Sequence, residues 1–586
     1  MKRTLTSLLA ILFVATLFSQ NDPRITKVKT PLSEVDRVVL PKQDNEALLD
    51  EELNRRGPGV APRFAVNIPV DISPENAGTW DYTATGHAVW RLRIFSEGAK
   101  SLNLGFTRYQ MPEGGSLVLY SPSGNEVQGP FTPADNEEHE QLWTPVLKGD
   151  EIVIEVKLPK ENKDLLQLQL SYVNHDFLGF ADLLSGSCNL DVLCGAADGW
   201  EIVDEYRDII QSVAVIGLGG GTFCTGFLIN NTRQDCAPLF MTAFHCGITQ
   251  NSAPSLVAYW NFQNSTCRQP GSPQSGGPGD GLLNDFNTGA IFRAGYSPSD
   301  FTLVEFDDPV SETADAFFAG WDATDVSPGD SVICVHHPNT DEKRISFSFQ
   351  ETYISDYFGY SPNPNGDHVA VPDWDIGTTE GGSSGSPLFN KHKRVVGQLH
   401  GGGAACGNDD SDFFGWLHTS WEGGGTPSTR LKDWLDPDNT GTLVLDGRSQ
   451  RQCAYFVEAV QDEQAVCAPA DGQFLITVSE NFADSVWLSI SGLPDSLTAT
   501  FSANPMLPGD TVVLTVGNTQ ALPEGQYEFD ISGTDSTESN GSTLLLTIVQ
   551  APPAVPVLLE PADNAQGAAT NPTFGWETQA FSNYHF

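Results

Sequence analysis

The stretch that decides the reading is EGGSSGSPLF, Glu380 to Phe389, with three serines and three glycines in ten residues. A serine that acts as a nucleophile needs backbone N–H groups aimed at the oxyanion that forms when it attacks. A glycine two places before it lets the backbone turn so that two N–H groups face one hollow. A glycine directly after it leaves room for substrate to approach. Only Ser384 has glycine at both places, Gly382 and Gly385. The donors are then the N–H groups of Gly382 and Ser384. A Gly/Ser run alone is an ordinary loop, so the reading depends on what the rest of the chain supplies.

A serine is inert without a base. LFMTAFHCG (Leu239 to Gly247) puts His245 at the end of an apolar strand, followed by a cysteine. PSDFTLVEF (Pro298 to Phe306) puts Asp300 just ahead of another. Taken singly, these are a packed histidine and a turn aspartate. Taken together they give His, Asp and Ser in the chain order of the chymotrypsin fold, where the buried aspartate holds the imidazole in its working tautomer and stabilises its cation. The joint pattern makes His245, Asp300 and Ser384 the candidate catalytic set.

Several longer pieces point the same way: SGSCNLDVLC, CTGFLINN, AFHCG, YWNFQNSTC, SDFTLVEF, HHPN, EKRIS, GSSGSP, VVGQLHGG, SDFFG and RLKDWLDP, in this order. Through them, residues 183–447 resemble the bacterial lysyl endopeptidases, the family of the Achromobacter lysine-specific serine protease. The resemblance implies a trypsin-like double β-barrel with the site between the barrels, and places the triad on the same three residues. It also implies Asp412, in SDFFG, as the carboxylate of the substrate pocket, and His400, in GQLHGG, as a wall of the site. The position of such a carboxylate separates lysine from arginine, whose head groups differ in length and shape. Asp409 and Asp410 have no motif support and are expected to face solvent. An aromatic beside the histidine is expected from Tyr357, Phe358 or Tyr360. The resemblance pairs Cys188 with Cys406, Cys194 with Cys267 and Cys224 with Cys246. Cys236 and Cys334 are left as a fourth pair, and Cys453 and Cys467 as the closure of a small loop. No cofactor and no metal are implied; DPDNTG (Asp436 to Gly441) starts like a calcium loop but lacks its closing glutamate.

Around this core the chain organises itself by texture. MKRTLTSLLAILFVATLFSQ has a basic start and a short apolar run, which reads as a secretory signal over residues 1–19. Ten cysteines then fit disulfides in an oxidising compartment. Residues 20–182 hold alternating runs such as HAVWRLRIF and DEIVIEVKL, the pattern of a β-sandwich, and read as a pro-segment that assists folding or masks the cleft. Within it RRGPGVAP (Arg55 to Pro62) reads as a loop. Residues 448–470 read as a linker, 471–550 as an immunoglobulin-like sandwich, and 551–586 as a linker and the start of a truncated fibronectin-like domain. The fold class is therefore all-β. One helix is expected, TPSTRLKDWLD, whose Leu431, Trp434 and Leu435 share a face.

With 31 basic against 75 acidic residues, a formal charge of −44, the chain is suited neither to nucleic acid nor to an anionic membrane. No later stretch reads as a membrane span. A secreted monomer acting on proteins and peptides is expected, with the ligand of the C-terminal sandwiches open. Ser383 stands where trypsin has the aspartate that receives the new N-terminal amine, so that activating ion pair is unavailable. Of 13 lysines, nine precede residue 183, and none lies between Lys163 and Cys188. That asymmetry favours a lysine cutter, but it makes self-cleavage after lysine at the expected mature start near Leu183 doubtful. The rival readings are a protease of arginine or mixed basic preference, and a secreted binding protein with an inactive protease-like module.

Overall fold

The computed structural model describes residues 22–180, 184–453 and 455–549 apart from 480, 481, 483, 537 and 538, with two further short strands, Leu558–Glu560 and Gly575–Trp576. The expected signal, the expected mature start at Leu183 and most of the expected fibronectin-like segment lie outside them. The chain divides into two compact units, residues 1–449 and 450–586.

The first unit opens with two packed sheets. One has six strands, centred on His87–Phe95 and Glu151–Pro159; the other has five, centred on Ser101–Gln110 and Gln167–Asp176. Inward positions such as Trp90, Leu92, Ile94, Leu104, Phe106 and Val156 make their shared core. The HAVWRLRIF strand shows why simple alternation fails here: its outward face is buried too. Residues 25–32 cover part of that sheet, and beneath them Arg91 Nη2 donates to Asp81 at 2.9 Å and to the Thr30 carbonyl at 2.6 Å. A buried charge is tolerable only with such partners.

The helix Asn45–Arg55 was not foreseeable from apolar periodicity. It is capped by the Asp44 side chain, which accepts from Ala47 N–H, and fastened through buried Glu52, which pairs with Arg55 and Arg63. RRGPGVAP succeeds it as an irregular strap. The strap leads into Phe64, which packs on Phe180 (centroids 4.7 Å apart) in an aromatic cluster with Phe223, Tyr259 and Phe262. Backbone bonds from Phe64 N–H to the Gly221 carbonyl and from Phe223 N–H to the Pro62 carbonyl stitch the sandwich to the protease sequence.

Most of the rest of the first unit forms two larger sheets. The first has seven antiparallel strands, in the order Phe286–Thr288, Val257–Tyr259, Val213–Leu218, Thr222–Leu228, Leu239–Ala243, Phe301–Phe306, Ala290–Tyr296. The second has ten strands, with Val332–His336, Pro387–Asn390, Arg394–Gly402, Asp412–Trp416 and His368–Val371 side by side. Side chains from both sheets, among them Phe227, Met241, Leu303, Ile333, Phe389 and Val395, merge in one core. The expected long helix is shorter than its pattern: only Lys432–Leu435 is helical. Ahead of it the hydroxyls of Thr426 and Thr429 bond each other and nearby backbone, an alternative that competes with helical pairing. Leu431 and Leu435 are nevertheless both buried.

The second unit holds two four-stranded sheets around Phe474, Ile476, Leu514, Ile531, Leu546 and Ile548. Glu463–Cys467 pairs in parallel with Ser539–Val549.

Candidate active site

His245 lies on a short turn, Phe244–Cys246, at the end of the Leu239–Ala243 strand. A disulfide from Cys246 to Cys224 ties this turn to the neighbouring strand; closing a loop of that length is worth roughly 3 kcal/mol on a chain-entropy argument. Asp300 sits one residue before the paired strand Phe301–Phe306, with a left-handed φ of 52° that aspartate tolerates better than most residues. In that conformation its carbonyl accepts from Phe244 N–H at 2.7 Å and its Oδ1 from His245 N–H at 3.0 Å. Its Oδ2 accepts from His245 Nδ1 at 2.8 Å. The side chain of Asp300 is 3% exposed, so the carboxylate is shielded from water on the side away from the ring.

The serine loop belongs to the other sheet. Thr225 N–H donates to the Ser384 carbonyl and Thr225 Oγ1 to the Gly382 carbonyl, both at 2.9 Å. Both glycines have positive φ, 94° at Gly382 and 85° at Gly385. A Cβ on Gly385 would lie 2.2 Å from Thr242 Oγ1 and 2.4 Å from the Thr225 carbonyl oxygen. Packing against the first sheet therefore requires a glycine after the serine. Among the described residues the N–H groups of Gly382 and Ser384 have no partner, and neither do Ser384 Oγ and the buried His245 Nε2.

Two residues that sequence reasoning passed over hold this loop. His336, fully buried and kept neutral by burial down to about pH 3, bonds Ser383 Oγ at 2.8 Å and Ser346 Oγ at 3.0 Å. Ser383 Oγ also accepts from Glu380 N–H. The Glu380 carboxylate accepts from Gly186 N–H, Asn189 and Asn339, which links the start of the protease sequence to the loop. Both residues lie inside quoted motifs, EGGSSGSPLF and HHPN, but nothing local marks them as supports.

His400 stacks on His245 on one face, with centroids 5.4 Å apart, and on Tyr357 on the other, at 3.6 Å and 3° between planes. Of the three aromatics left open by the sequence, Tyr357 is the one in this stack. Burial pulls the His400 pKa down to about 4, so it is neutral at ordinary pH. Asp412 is 1% exposed and its Oδ2 accepts from Trp374 Nε1 at 2.8 Å and Thr379 Oγ1 at 2.7 Å. Burial raises its pKa despite those bonds. Asp409 and Asp410 are exposed. Ser384, His400, Thr379, Glu380 and Asp412 are among the residues lining one cleft of about 310 Å³, and the strap contributes Arg56, Gly57, Pro58, Gly59, Val60 and Pro62 to its wall. The strap carries two arginines and no lysine.

Disulfides join Cys188 to Cys406, Cys194 to Cys267 and Cys224 to Cys246. The expected Cys236–Cys334 bridge is not made: Cys334 is a buried thiol under the pocket, while Cys236 and Cys453 are both disulfide-bonded. Asp436, in DPDNTG, accepts from Thr440, Gly441 and Thr232, so it caps its own loop. Among the described residues no helix is long and apolar enough to cross a membrane.

The family matches support a serine endopeptidase. Residues 184–415 match the family model "Lysyl endopeptidase, C-terminal domain" and residues 64–176 match "Lysyl endopeptidase N-terminal domain". The chain belongs to the lysyl endopeptidase family. It is 27% identical over 363 residues to a lysyl endopeptidase of Pseudomonas aeruginosa, spanning 57% of this chain and 74% of that protein. Among solved structures, the Vibrio cholerae VesB protease aligns at 13% identity over 58% of this chain and 95% of its own, with a TM-score of 0.23. Kallikrein-related peptidase 10 in complex with Zn2+ aligns at 14% over 36% and 91%, with a TM-score of 0.24. Similarity this low adds nothing to the family match.

Proposed function

We propose that this chain is the precursor of a secreted endopeptidase that cuts on the carboxyl side of lysine, through an acyl-enzyme on Ser384. In this reading Ser384 Oγ attacks the scissile carbonyl, His245 Nε2 takes its proton and later returns it to the leaving amine, and Asp300 holds the imidazolium. The N–H groups of Gly382 and Ser384 receive the oxyanion. The observation that carries the specificity is Asp412, a buried carboxylate in the same cleft as Ser384. Trp374 and Thr379 both bond its Oδ2 and the Ala404 backbone N–H also bonds the carboxylate, so few of its lone pairs are left for a substrate. A compact ammonium suits a single oxygen, whereas a guanidinium is best held by two at once.

The lysines of the protease part support the same reading. Lys343 is buried, Lys393 pairs with Asp208 and Lys432 with Glu422, and Lys391 alone is freely exposed. Residues 20–182 act as a pro-segment whose strap fills the cleft until it is removed. The signal-like start and the disulfides support secretion.

The test is a digest. Secreted protein is incubated with a denatured substrate protein and the new termini are sequenced, alongside labelling by a serine-directed phosphonate. Cuts confined to lysyl bonds, with label on Ser384, are expected. Equal cutting after arginine would replace the lysine reading with a mixed basic one. Label on another residue, or none, would remove Ser384 from the nucleophile's role.

A further inference from the structure

The loop that carries Ser384 is tied down through the residue before it. Ser383 is fully buried. Its N–H donates to the Glu380 carbonyl and its carbonyl accepts from Ser386 N–H, both at 3.0 Å, while its Oγ accepts from Glu380 N–H at 3.1 Å. The remaining bond of that hydroxyl, at 2.8 Å, is to His336 Nδ1. His336 ends the Val332–His336 strand, and the next residue holds the loop from its other side. His337 N–H donates to Thr225 Oγ1 at 3.2 Å, and Thr225 Oγ1 donates to the Gly382 carbonyl.

One arrangement of hydrogens satisfies this whole line. Ser346 Oγ lies 3.0 Å from His336 Nε2 and 3.1 Å from the Thr378 carbonyl, which only accepts. With Ser346 donating to that carbonyl, His336 Nε2 carries the ring hydrogen and donates to Ser346 Oγ. Nδ1 is then a bare acceptor, and the Ser383 hydroxyl donates to it. The other neutral tautomer holds the same number of hydrogens. It takes Ser346 off the Thr378 carbonyl and leaves the Ser383 hydroxyl hydrogen with no acceptor among the described residues. A buried donor left unpaired keeps its full desolvation penalty. Burial, with the Arg344 guanidinium on the paired strand, pulls the His336 pKa down to about 3, so the line carries no charge at ordinary pH.

We propose that His336 is a positioning residue for the oxyanion hollow: as a neutral Nε2–H tautomer it accepts from Ser383 and so fixes the peptide groups of Gly382 and Ser384 without a charged partner. The inference rests on the nucleophile reading above and adds a consequence for activation. Trypsin keeps an aspartate at the place of Ser383 and waits for a newly made amine to pair with it. Here the line is complete in the uncut chain, through neutral groups alone. Removing the strap then uncovers a loop that is already set.

The test compares His336→Phe, His336→Gln, His336→Asn and Ser383→Ala with wild type, reading kcat and KM for a lysyl amide and the melting temperature. An asparagine oxygen can stand where Nδ1 stands, whereas a glutamine amide reaches toward Ser346 instead. His336→Phe, His336→Gln and Ser383→Ala are expected to lower kcat by roughly 10²-fold, the cost of displacing reacting groups by about 1 Å, with KM little changed. His336→Asn is expected to keep most of kcat. A lowered melting temperature with kcat in place would make His336 a packing residue and overturn the proposal, as would an asparagine variant no better than the glutamine one. Imidazole nitrogen NMR of the histidine-labelled, uncut chain, with the His336→Asn spectrum as reference, gives a readout that needs no activity. A protonated Nε2 and a bare Nδ1, unchanged between about pH 5 and pH 8, are expected. A protonated Nδ1, or a His336 ring that titrates in that range, overturns the proposal. If wild type were inert toward lysyl amides, the nucleophile reading would fail, and these spectra would still decide the His336 tautomer.

Discussion

The two walls of the cleft are built in opposite ways. On the wall made by the seven-stranded sheet, His245 and Asp300 sit at strand ends, and the contacts that place them are short in space and mostly backbone: two bonds from His245 to one carboxylate, one from Phe244, and a disulfide. On the wall made by the ten-stranded sheet, the groups are placed by buried side chains from distant parts of the chain. His336 holds Ser383, Glu380 gathers Gly186, Asn189 and Asn339, Trp374 and Thr379 hold Asp412, and His368 holds His400. The first wall aims two groups at the chemistry. In the proposed reading the second presents a nucleophile, an oxyanion hollow and a charge, and it uses many polar side chains to do so. Such networks are costly when partly broken, because each orphaned group keeps its full desolvation penalty.

Five substitutions test that contrast, in falling order of effect. Ser384→Ala removes the group both walls serve, and kcat is expected to fall by roughly 10⁶-fold with the fold unchanged; single-turnover assays on a lysyl ester measure it. Asp412→Asn should cut kcat/KM for lysyl substrates by roughly 10²- to 10³-fold, as expected when one partner of a buried charge pair is lost. The same change should raise stability at neutral pH. Burial holds the Asp412 pKa above its unfolded value, so its favourable contribution is present below the ordinary carboxylate range and is lost as pH rises through the raised value. Denaturant melts of Asp412→Asn and wild type should therefore coincide near pH 4 and separate toward pH 8, with the variant more stable; a variant less stable at both would contradict this sign.

Gly59→Val acts on the strap. Gly59 has a φ of 71°, and a Cβ there would lie 3.4 Å from His400 Nε2. A β-branched residue in that conformation costs ~1–3 kcal/mol, so the uncut chain should gain roughly tenfold or more in basal rate. An unchanged rate would mean that the strap does not limit access. The smallest effect belongs to Asp409→Asn and Asp410→Asn. These exposed neighbours of Asp412 should change stability by no more than ~0.5 kcal/mol and leave the lysine preference alone, which a rate comparison on lysyl and arginyl esters would show.

The same contrast governs what could be read in advance. His245 and Asp300 are marked by the apolar strands they adjoin and Ser384 by the glycines around it, because strand ends and tight turns leave local traces. Asp412 and His400 were reached only through resemblance, since nothing beside them says which way they face. His336, Glu380 and His368 were not singled out at all: their partners lie 47, 194 and 32 residues away in sequence, and no periodicity records such a meeting. The Asn45–Arg55 helix escaped for a related reason. It is fastened through one buried glutamate to arginines outside the helix core, and its Leu53 faces solvent. The Gly385 position was legible, but its crowding by Thr225 and Thr242 on the other sheet was not.

The strap has one more consequence. In the proposed reading it narrows a site to which it is covalently joined, so it would compete with substrate as a tethered group whose effective concentration is on the order of millimolar. Dilution into a large extracellular volume cannot loosen it as it would a separate inhibitor. With no lysyl bond to offer, it is also not worn away by repeated encounters with Ser384. Release then depends on a cut made elsewhere in the polypeptide, which turns the timing of activity into a property of whichever enzyme makes that cut.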